Sequence, residues 1–210
     1  MMTMQEIRDL NLAEVRRLGY PENTNLPVLD ETGETRTVSE ITDRLLCLYA
    51  RVACSYGFSK EKALKWLDRE NLLDSLVDSE RLFFKSEMDT GQKASAQWEI
   101  EALWALAWCV KCHESLDFGD SCADDFIKLL PDIAKNDSTK SFRSGRTLCA
   151  KEDIIAKADL SYCLHWAVRD AEIKGQSIPG KVPSNVVIER RRALEWVVGD
   201  VAWDDVELDT

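Results

Sequence analysis

The most constraining feature of the sequence is an apolar run from Trp98 to Val110. Eleven of its thirteen residues are apolar, and the two exceptions are Glu99 and Glu101. Thirteen residues are too few to span a bilayer, and a helix that is apolar on every side must be surrounded by other elements. The run therefore predicts a central helix, over about Gln92–His113, in the core of a helical protein.

Other segments with helical periodicity flank this run, separated by loops that hold most of the prolines and glycines. A second central helix is predicted from about Lys151 to Lys174, and a last helix from Pro183-Ser184 to Val198. The remaining predicted helices cover Thr3–Leu18, a stretch from a cap at Ser39 to Gly57, a stretch capped by Ser59, two short pieces at Leu72–Leu76 and Ser79–Lys85, and a segment from Ser121 or Cys122 to Pro131. Asp132–Arg146 is predicted as a polar loop, and Val28-Leu29 and the last ten residues are the candidates for extended pairing.

These segments predict an all-α fold, a single-domain bundle of about seven to nine helices around two central apolar helices, with an extended C-terminal tail. A length of 210 residues suits one domain over the whole chain. Within it, residues 1–18 form the N-terminal helix.

The charge and cysteine content bound the partners and the compartment. The chain carries 27 basic and 38 acidic residues, a net charge of −11, which argues against nucleic acid or an anionic membrane as the main partner. The net negative charge favours a protein partner with a basic surface. We expect a cytoplasmic location, because the N-terminal residues lack a signal-peptide profile and the seven scattered cysteines fit a reducing compartment.

The motifs that could hold a cofactor are weak. Cys109-Val-Lys-Cys112-His113 has the form of a haem attachment site, and Cys122 could complete a zinc site, but the match lies at the end of an apolar helix. The acidic run from Glu114 to Asp125 lacks the alternating pattern of a calcium loop. We therefore predict no metal, no cofactor and no catalytic residue; the chain has two histidines and no motif of a nucleophile or a phosphate loop.

A buried polar cluster is the candidate site. Arg169 falls among apolar neighbours of the second central helix, and a buried guanidinium needs a carboxylate. Glu101, Glu189 and Asp204 or Asp205 are the candidate partners. The cluster is either an ion-pair network that locks the C-terminal elements or a functional pocket in which His165 handles a proton. Its candidate members are Glu101, His165, Trp166, Arg169, Asp170, Glu189, Arg190, Trp203, Asp204 and Asp205.

The C-terminal segment is acidic but not fully polar. The final eleven residues carry five acids and no base, yet Trp203, Val206 and Leu208 would favour being covered. We expect this segment to pack back onto the basic stretch near Arg190–Arg192.

Several segments together resemble the bacterial family called domain of unknown function 4272. These are Glu61–Leu76, Trp98–Trp108, Leu164–Gly175, Ile188–Trp196, the terminal Trp203–Thr210 and the early Leu26–Glu31. The resemblance covers most of the chain from about Gly19 and implies a soluble, helical bacterial protein. It leaves the function open.

Two functions of different classes fit the sequence. The leading hypothesis is a non-enzymatic protein-interaction module, in its most concrete form an immunity or inhibitor protein that masks a basic toxin, with tryptophans as anchors. The alternative is a small-ligand binder or hydrolase-like enzyme with a pocket around His165, Arg169, Glu101 and Glu189. A self-associating structural protein is a third possibility, and the oligomeric state is open.

Overall fold

The structure, a computed structural model, describes residues 2–29, 33–87 and 89–210, and within these ranges it is helical with no β-strand. This confirms the predicted all-α class. The α-helices are α1 (Met4–Arg17), α2 (Val38–Ser55), α3 (Lys60–Arg69), α4 (Asp78–Lys85), α5 (Thr90–Trp98), α6 (Ile100–Cys109), α7 (Lys140–Ser144), α8 (Lys151–Ile173) and α9 (Ser184–Val198). Short 3-10 helices lie at Leu73–Ser75, Phe126–Leu129 and Trp203–Asp205.

Local capping explains where several helices begin. Thr3 caps α1 and Thr37 caps α2, each through a capping box with a glutamate three residues later. The predicted cap at Ser39 is therefore wrong by two residues, because Thr37 and Glu40 form the reciprocal pair. Ser59 caps α3 as predicted.

The predicted helix over Gln92–His113 is divided. Glu99 separates α5 from α6, and α6 ends at Cys109 rather than at His113. The end is set by Lys111, whose backbone takes a left-handed φ of 52°. This turn lets the Cys112 N–H donate to the Ala107 carbonyl at 2.9 Å, the bond that closes a Schellman-type helix end.

Helix α9 lies at the centre of the packing. It packs against both α6 and α8, while α1 lies on α8 and α2 lies on α6. The sequence assigned the centre to the two apolar helices and underrated α9, because its three consecutive arginines mask a buried apolar face. That face consists of Val186, Val187, Ala193, Leu194 and Val197.

One predicted helix and one predicted loop differ from the structure. The expected helix from Ser121 or Cys122 to Pro131 is only the 3-10 turn Phe126–Leu129, since Phe126, Leu130 and Pro131 are its buried residues and the others are exposed or partly exposed. The predicted polar loop Asp132–Arg146 contains α7, anchored where Glu70 accepts hydrogen bonds from the Thr139 backbone and hydroxyl. Val28-Leu29 and the C-terminal residues form no strand; Asp30 and Glu31 of the segment Leu26–Glu31 lie outside the described residues.

Candidate functional site

Arg169 is not buried, and this corrects the central expectation for the polar cluster. Half of its side chain is exposed, and its guanidinium pairs with Glu172 on the same helix. None of the expected carboxylates is its hydrogen-bond or ion-pair partner among the described contacts. The physical reason is that none of the described elements buries this end of α8, where Ile173 on the same face is 79% exposed.

Arg190 takes the place predicted for Arg169. Its side chain is 1% exposed, and its Nε and Nη2 atoms donate to Glu101 Oε2 at 2.9 and 2.6 Å. The other Glu101 oxygen accepts a hydrogen bond from the Cys122 backbone N–H at 2.9 Å. Arg190 also donates to the Asp117 carbonyl. Glu101, one of the two charged residues in the apolar run, thus joins α6, α9 and the loop over residues 117–122.

Arg191 joins His165 to the C-terminal segment. Its Nη1 lies 2.6 Å from His165 Nδ1, and its Nη2 donates to the Asp209 carbonyl at 2.8 Å. The prediction that this segment packs near Arg190–Arg192 is confirmed. Burial first, then the charges of Arg191 and Arg169, lower the pKa of His165 to about 4. The imidazole is therefore neutral at neutral pH, with Nδ1 accepting and the proton on Nε2.

The remaining candidate residues lie in separate places. Asp204 accepts hydrogen bonds from the Ser79 N–H and hydroxyl at 2.9 and 2.6 Å, at the start of α4. Trp203 is buried edge-to-face against Trp196. Asp205 is exposed, Asp170 pairs with Lys174, and Trp166 is partly buried against the core.

Glu189 belongs to a charge cluster that sequence reasoning missed. Arg51 from α2, Glu99 between α5 and α6, and Glu189 and Arg192 from α9 lie together. Arg51 Nη2 pairs with Glu99 Oε1 at 2.9 Å. Desolvation raises the pKa of Glu99 to about 7, and burial also raises the pKa of Glu189. The available sequence signal for this cluster was Glu99, one of the two charged residues in the apolar run from Trp98 to Val110.

Two further buried ion pairs were missed. Arg8 and Asp159 pair at 2.6 Å, with Arg8 also donating to the Leu26 and Pro27 carbonyls. Arg44 pairs with Glu80. Asp159 and Arg44 each lie within an apolar stretch of a predicted helix, and this could have indicated the two buried ion pairs.

Two cavities are candidates for binding. One, of about 690 Å³, is open to solvent and lined by His165, Arg169, Glu172, Ile173, Ile188 and the last three residues. Neither Glu101 nor Glu189 lines it, so the predicted four-residue pocket is divided. The other, the α2–α6 groove, measures about 760 Å³ and is lined chiefly by apolar side chains from α2, from Ile100 and from residues 121–134.

The α2–α6 groove has aromatic walls and an acidic rim. Tyr49 and Phe126 lie at its base, Phe58 is half-buried, and Tyr56 and Ile127 are 62% and 51% exposed beside it. Asp124 and Asp132 line it as well. Cys122, at the edge, has its pKa raised to about 12 by desolvation and by nearby Glu101, so its thiol remains protonated. Glu101, paired with Arg190, fixes the position of this edge because it accepts a hydrogen bond from the Cys122 N–H.

The weak metal motifs form no site in the described part of the chain. No group of three or more His, Cys, Asp or Glu side chains could hold a metal there. His113 instead stacks on Trp104, with ring centroids 3.5 Å apart, and its Nε2 lies 2.9 Å from the Trp104 carbonyl. No described helix is both long and apolar enough to cross a membrane.

The protein is thus an all-α protein with buried ion pairs and an apolar groove. A family model for a domain of unknown function, DUF4272, matches residues 8–206. The chain belongs to this family, as its sequence segments indicated. No curated protein and no solved structure matches it.

Proposed function

We propose that this chain is a non-enzymatic binding protein that receives an apolar segment of a basic protein partner in the α2–α6 groove. The observation that carries the proposal is the groove itself, about 760 Å³ with aromatic and aliphatic walls. Aromatic and aliphatic pockets of this kind accept the anchor side chains that dominate protein interfaces.

The charge around the groove supports a basic partner. Residues 114–132 carry six acidic residues and one lysine, and Asp120, Asp124 and Asp125 among them are exposed. Complementary charge steers association and selects partners. An amphipathic segment with leucines on one face and lysines on the other would match both the walls and the rim.

The side chains with catalytic chemistry support binding rather than reaction. The Cys122 thiol at the groove stays protonated, and the Nδ1 atom of His165 already accepts a hydrogen bond from Arg191. Arg190 and Arg191 already donate to carboxylate, imidazole and carbonyl acceptors. The most specific form of the proposal is a cytoplasmic immunity or inhibitor protein that covers a basic toxin.

A model peptide tests the proposal. A fluorescent amphipathic peptide with leucine and lysine faces is titrated with the protein, and its anisotropy gives the affinity. Ile127→Asp, in the groove, should weaken binding about tenfold or more, because it places a charge on an apolar anchor site. Leu82→Asp is the matched control, since Leu82 is similarly exposed but lies on α4, outside the groove lining. Equal loss in both variants would contradict the proposal, as would equal affinity for a peptide whose lysines are replaced by glutamine.

A further inference from the structure

The cavity of about 690 Å³ between α8 and α9 contains two hydrogen-bond donors without an acceptor in the described part of the chain. We call it the α8–α9 cavity, and its lining consists of His165, Arg169, Glu172 and Ile173 from α8, Ile188 from α9, and residues 208–210. It shares no lining residue with the α2–α6 groove. The two cavities are therefore separate places on the molecule.

The first donor is the Nε2–H group of His165. Arg191 Nη1 lies 2.6 Å from His165 Nδ1. Because a guanidinium only donates, Nδ1 accepts, and the ring proton lies on Nε2. No described residue accepts a hydrogen bond from Nε2, yet this atom is not sealed from solvent as a buried atom without a partner would be. The α8–α9 cavity thus reaches the Nε2–H group of a residue that is only 4% exposed.

Arg191 fixes the orientation of this imidazole. Its Nε atom donates to Glu195 at 3.2 Å and its Nη2 atom to the Asp209 carbonyl at 2.8 Å. Its guanidinium also lies over the Tyr162 ring, 4.8 Å from the ring centre. A buried side chain with this many contacts keeps the imidazole in one position, and a donor that is already oriented binds a ligand at a lower entropic cost. Arg191 is thus a positioning residue.

The second donor is the guanidinium of Arg169, about one helical turn from His165. Its Nη1 atom pairs with Glu172, while its Nε and Nη2 atoms have no partner among the described residues. These two atoms present parallel N–H groups, the arrangement that matches a carboxylate. Side chains four residues apart on a helix are neighbours, so one anion can accept from both Arg169 and His165.

The charges around the imidazole favour an anion. The charged side chains that act on the pKa of His165 are Arg191 and Arg169, and both lower it. The electrostatic potential at the imidazole is therefore positive. Glu172 and Asp209 also line the cavity, but both are exposed, and water screens the charge of exposed carboxylates.

The rest of the lining is largely aliphatic. Ile173 is exposed, and Ile188 and Leu208 are partly buried. A concave, partly apolar surface with a few oriented polar groups is typical of a site for a small molecule. The α8–α9 cavity has this composition, with its donors at one part of the wall and its aliphatic side chains around them.

We propose that the α8–α9 cavity binds a small aliphatic carboxylate. The carboxylate group accepts hydrogen bonds from His165 Nε2 and from the free side of Arg169, and the hydrocarbon body covers the aliphatic side chains. An aliphatic amino acid has the same chemistry with an added ammonium group, for which Glu172 and Asp209 are acceptors in the lining. The site does not depend on any occupant of the α2–α6 groove.

Nitrogen-15 NMR of the imidazoles tests the site, with 4-methylpentanoate and L-leucine as the probes. The chain has two histidines, and His113, which is stacked on Trp104 outside the cavity lining, is the internal control. Without a probe, His165 should be neutral with its proton on Nε2. At least one probe should shift this nitrogen in a saturable way, with a dissociation constant of about 1 mM or lower. The tighter probe identifies the source of the carboxylate.

Three results of this titration would overturn the proposal. They are a His165 proton on Nδ1 in the free protein, no saturation with either probe well above that concentration, and an equal shift of His113.

Two further probes separate the charge from the hydrocarbon body. The amide 4-methylpentanamide keeps the shape and loses the charge, whereas acetate keeps the charge and loses most of the body. Each should bind about tenfold or more weakly than 4-methylpentanoate. Equal affinity for acetate would indicate a general anion site only, and equal affinity for the amide a purely apolar one. Either result would reject the proposal.

A matched pair of variants tests the role of Arg169. Arg169→Met removes the free guanidinium from a half-exposed position, so the fold should be retained. Its affinity for the tighter probe should fall about tenfold or more. Arg17→Met is the control, because Arg17 pairs with Glu14 three residues away on α1, outside the cavity lining. Unchanged affinity in Arg169→Met, or an equal loss in both variants, would contradict the proposed site.

Discussion

Glu99 and Glu101 lie two residues apart at the start of α6, and both are buried, but their surroundings differ. Both oxygens of Glu101 are bonded, one to Arg190 and the other to the Cys122 N–H. Glu99 has one oxygen paired with Arg51 and the other without a partner in the described part of the chain. A carboxylate whose two oxygens both accept from fixed donors links elements of the structure. A buried carboxylate with an oxygen that lacks a donor is more readily protonated.

The difference follows from where each side chain lies. Glu101 faces α9 at a point where Arg190 and the backbone of the loop after α6 both supply donors. Glu99 lies at the break between two helices, opposite a second glutamate of α9. Burial therefore does not decide the role of an acidic residue; the number and rigidity of its donors do.

The largest effect should come from breaking the saturated pair. Arg190→Met leaves Glu101 buried without its counter-charge, and we expect the free energy of unfolding to fall by about 3–5 kcal/mol. Urea denaturation at neutral pH measures it. The double variant Arg190→Met with Glu101→Met removes both charges and should recover a large part of the loss, since a well-packed apolar pair can replace an ion pair. A loss below about 1 kcal/mol in the single variant would contradict the role of the pair.

The next largest effect is the dependence of the free energy of unfolding on pH, and it distinguishes Glu99 from Glu101. The pKa of Glu99 is about 7 in the folded chain against 4.5 in the unfolded one. The folded state therefore holds a proton that the unfolded state releases, and this contribution to stability is lost as pH rises from about 4.5 to about 7. The loss amounts to about 3 kcal/mol at most. Glu99→Gln should be more favourable, relative to the natural chain, at about pH 8 than at about pH 5, as denaturation at both pH values would show.

His165 acts in the opposite direction and supplies the control. Its pKa is lowered from 6.5 to about 4 on folding, so its contribution grows as pH rises between these values and is lost in acid. The two groups partly cancel in the natural chain. His165→Gln keeps an acceptor for Arg191 and removes the titration, so the fall due to Glu99 should become steeper. An unchanged pH profile in Glu99→Gln would show that Glu99 is ionised throughout.

The sequence predicted the helices well and the polar partners poorly. Periodicity places α8 and α9 within one residue of their observed ends, because an apolar stripe and a proline-serine start are local signals. The break between α5 and α6 at Glu99 has no such local signal, because the apolar pattern of the run is the same whether or not one of its residues forms a turn. Arg8 and Asp159, which are 151 residues apart, pair only because α1 lies on α8.

Arg169 shows the same limit within one helix. The helical wheel places it among apolar residues, and it also predicts that at least one of Arg190, Arg191 and Arg192 faces inward or along an interface, as Arg190 and Arg191 do. The wheel does not say how far along α8 another element covers that face. Among the described elements the cover ends before Arg169, and the counter-charge that buried Glu101 needs is supplied by Arg190 of α9.

The smallest effect should come from Arg169 itself, and it separates an arginine in solvent from one in the core. Arg169→Met removes an exposed pair with Glu172 one turn away, and such pairs contribute little because water screens them. We expect the free energy of unfolding to change by less than about 0.5 kcal/mol in the same urea experiment that is used for Arg190→Met. Methionine is matched in both variants, so helix propensity and side-chain length are held nearly constant and only the burial of the guanidinium differs. A loss comparable with that of Arg190→Met would mean that the end of α8 is covered in solution by an element or partner that contacts Arg169.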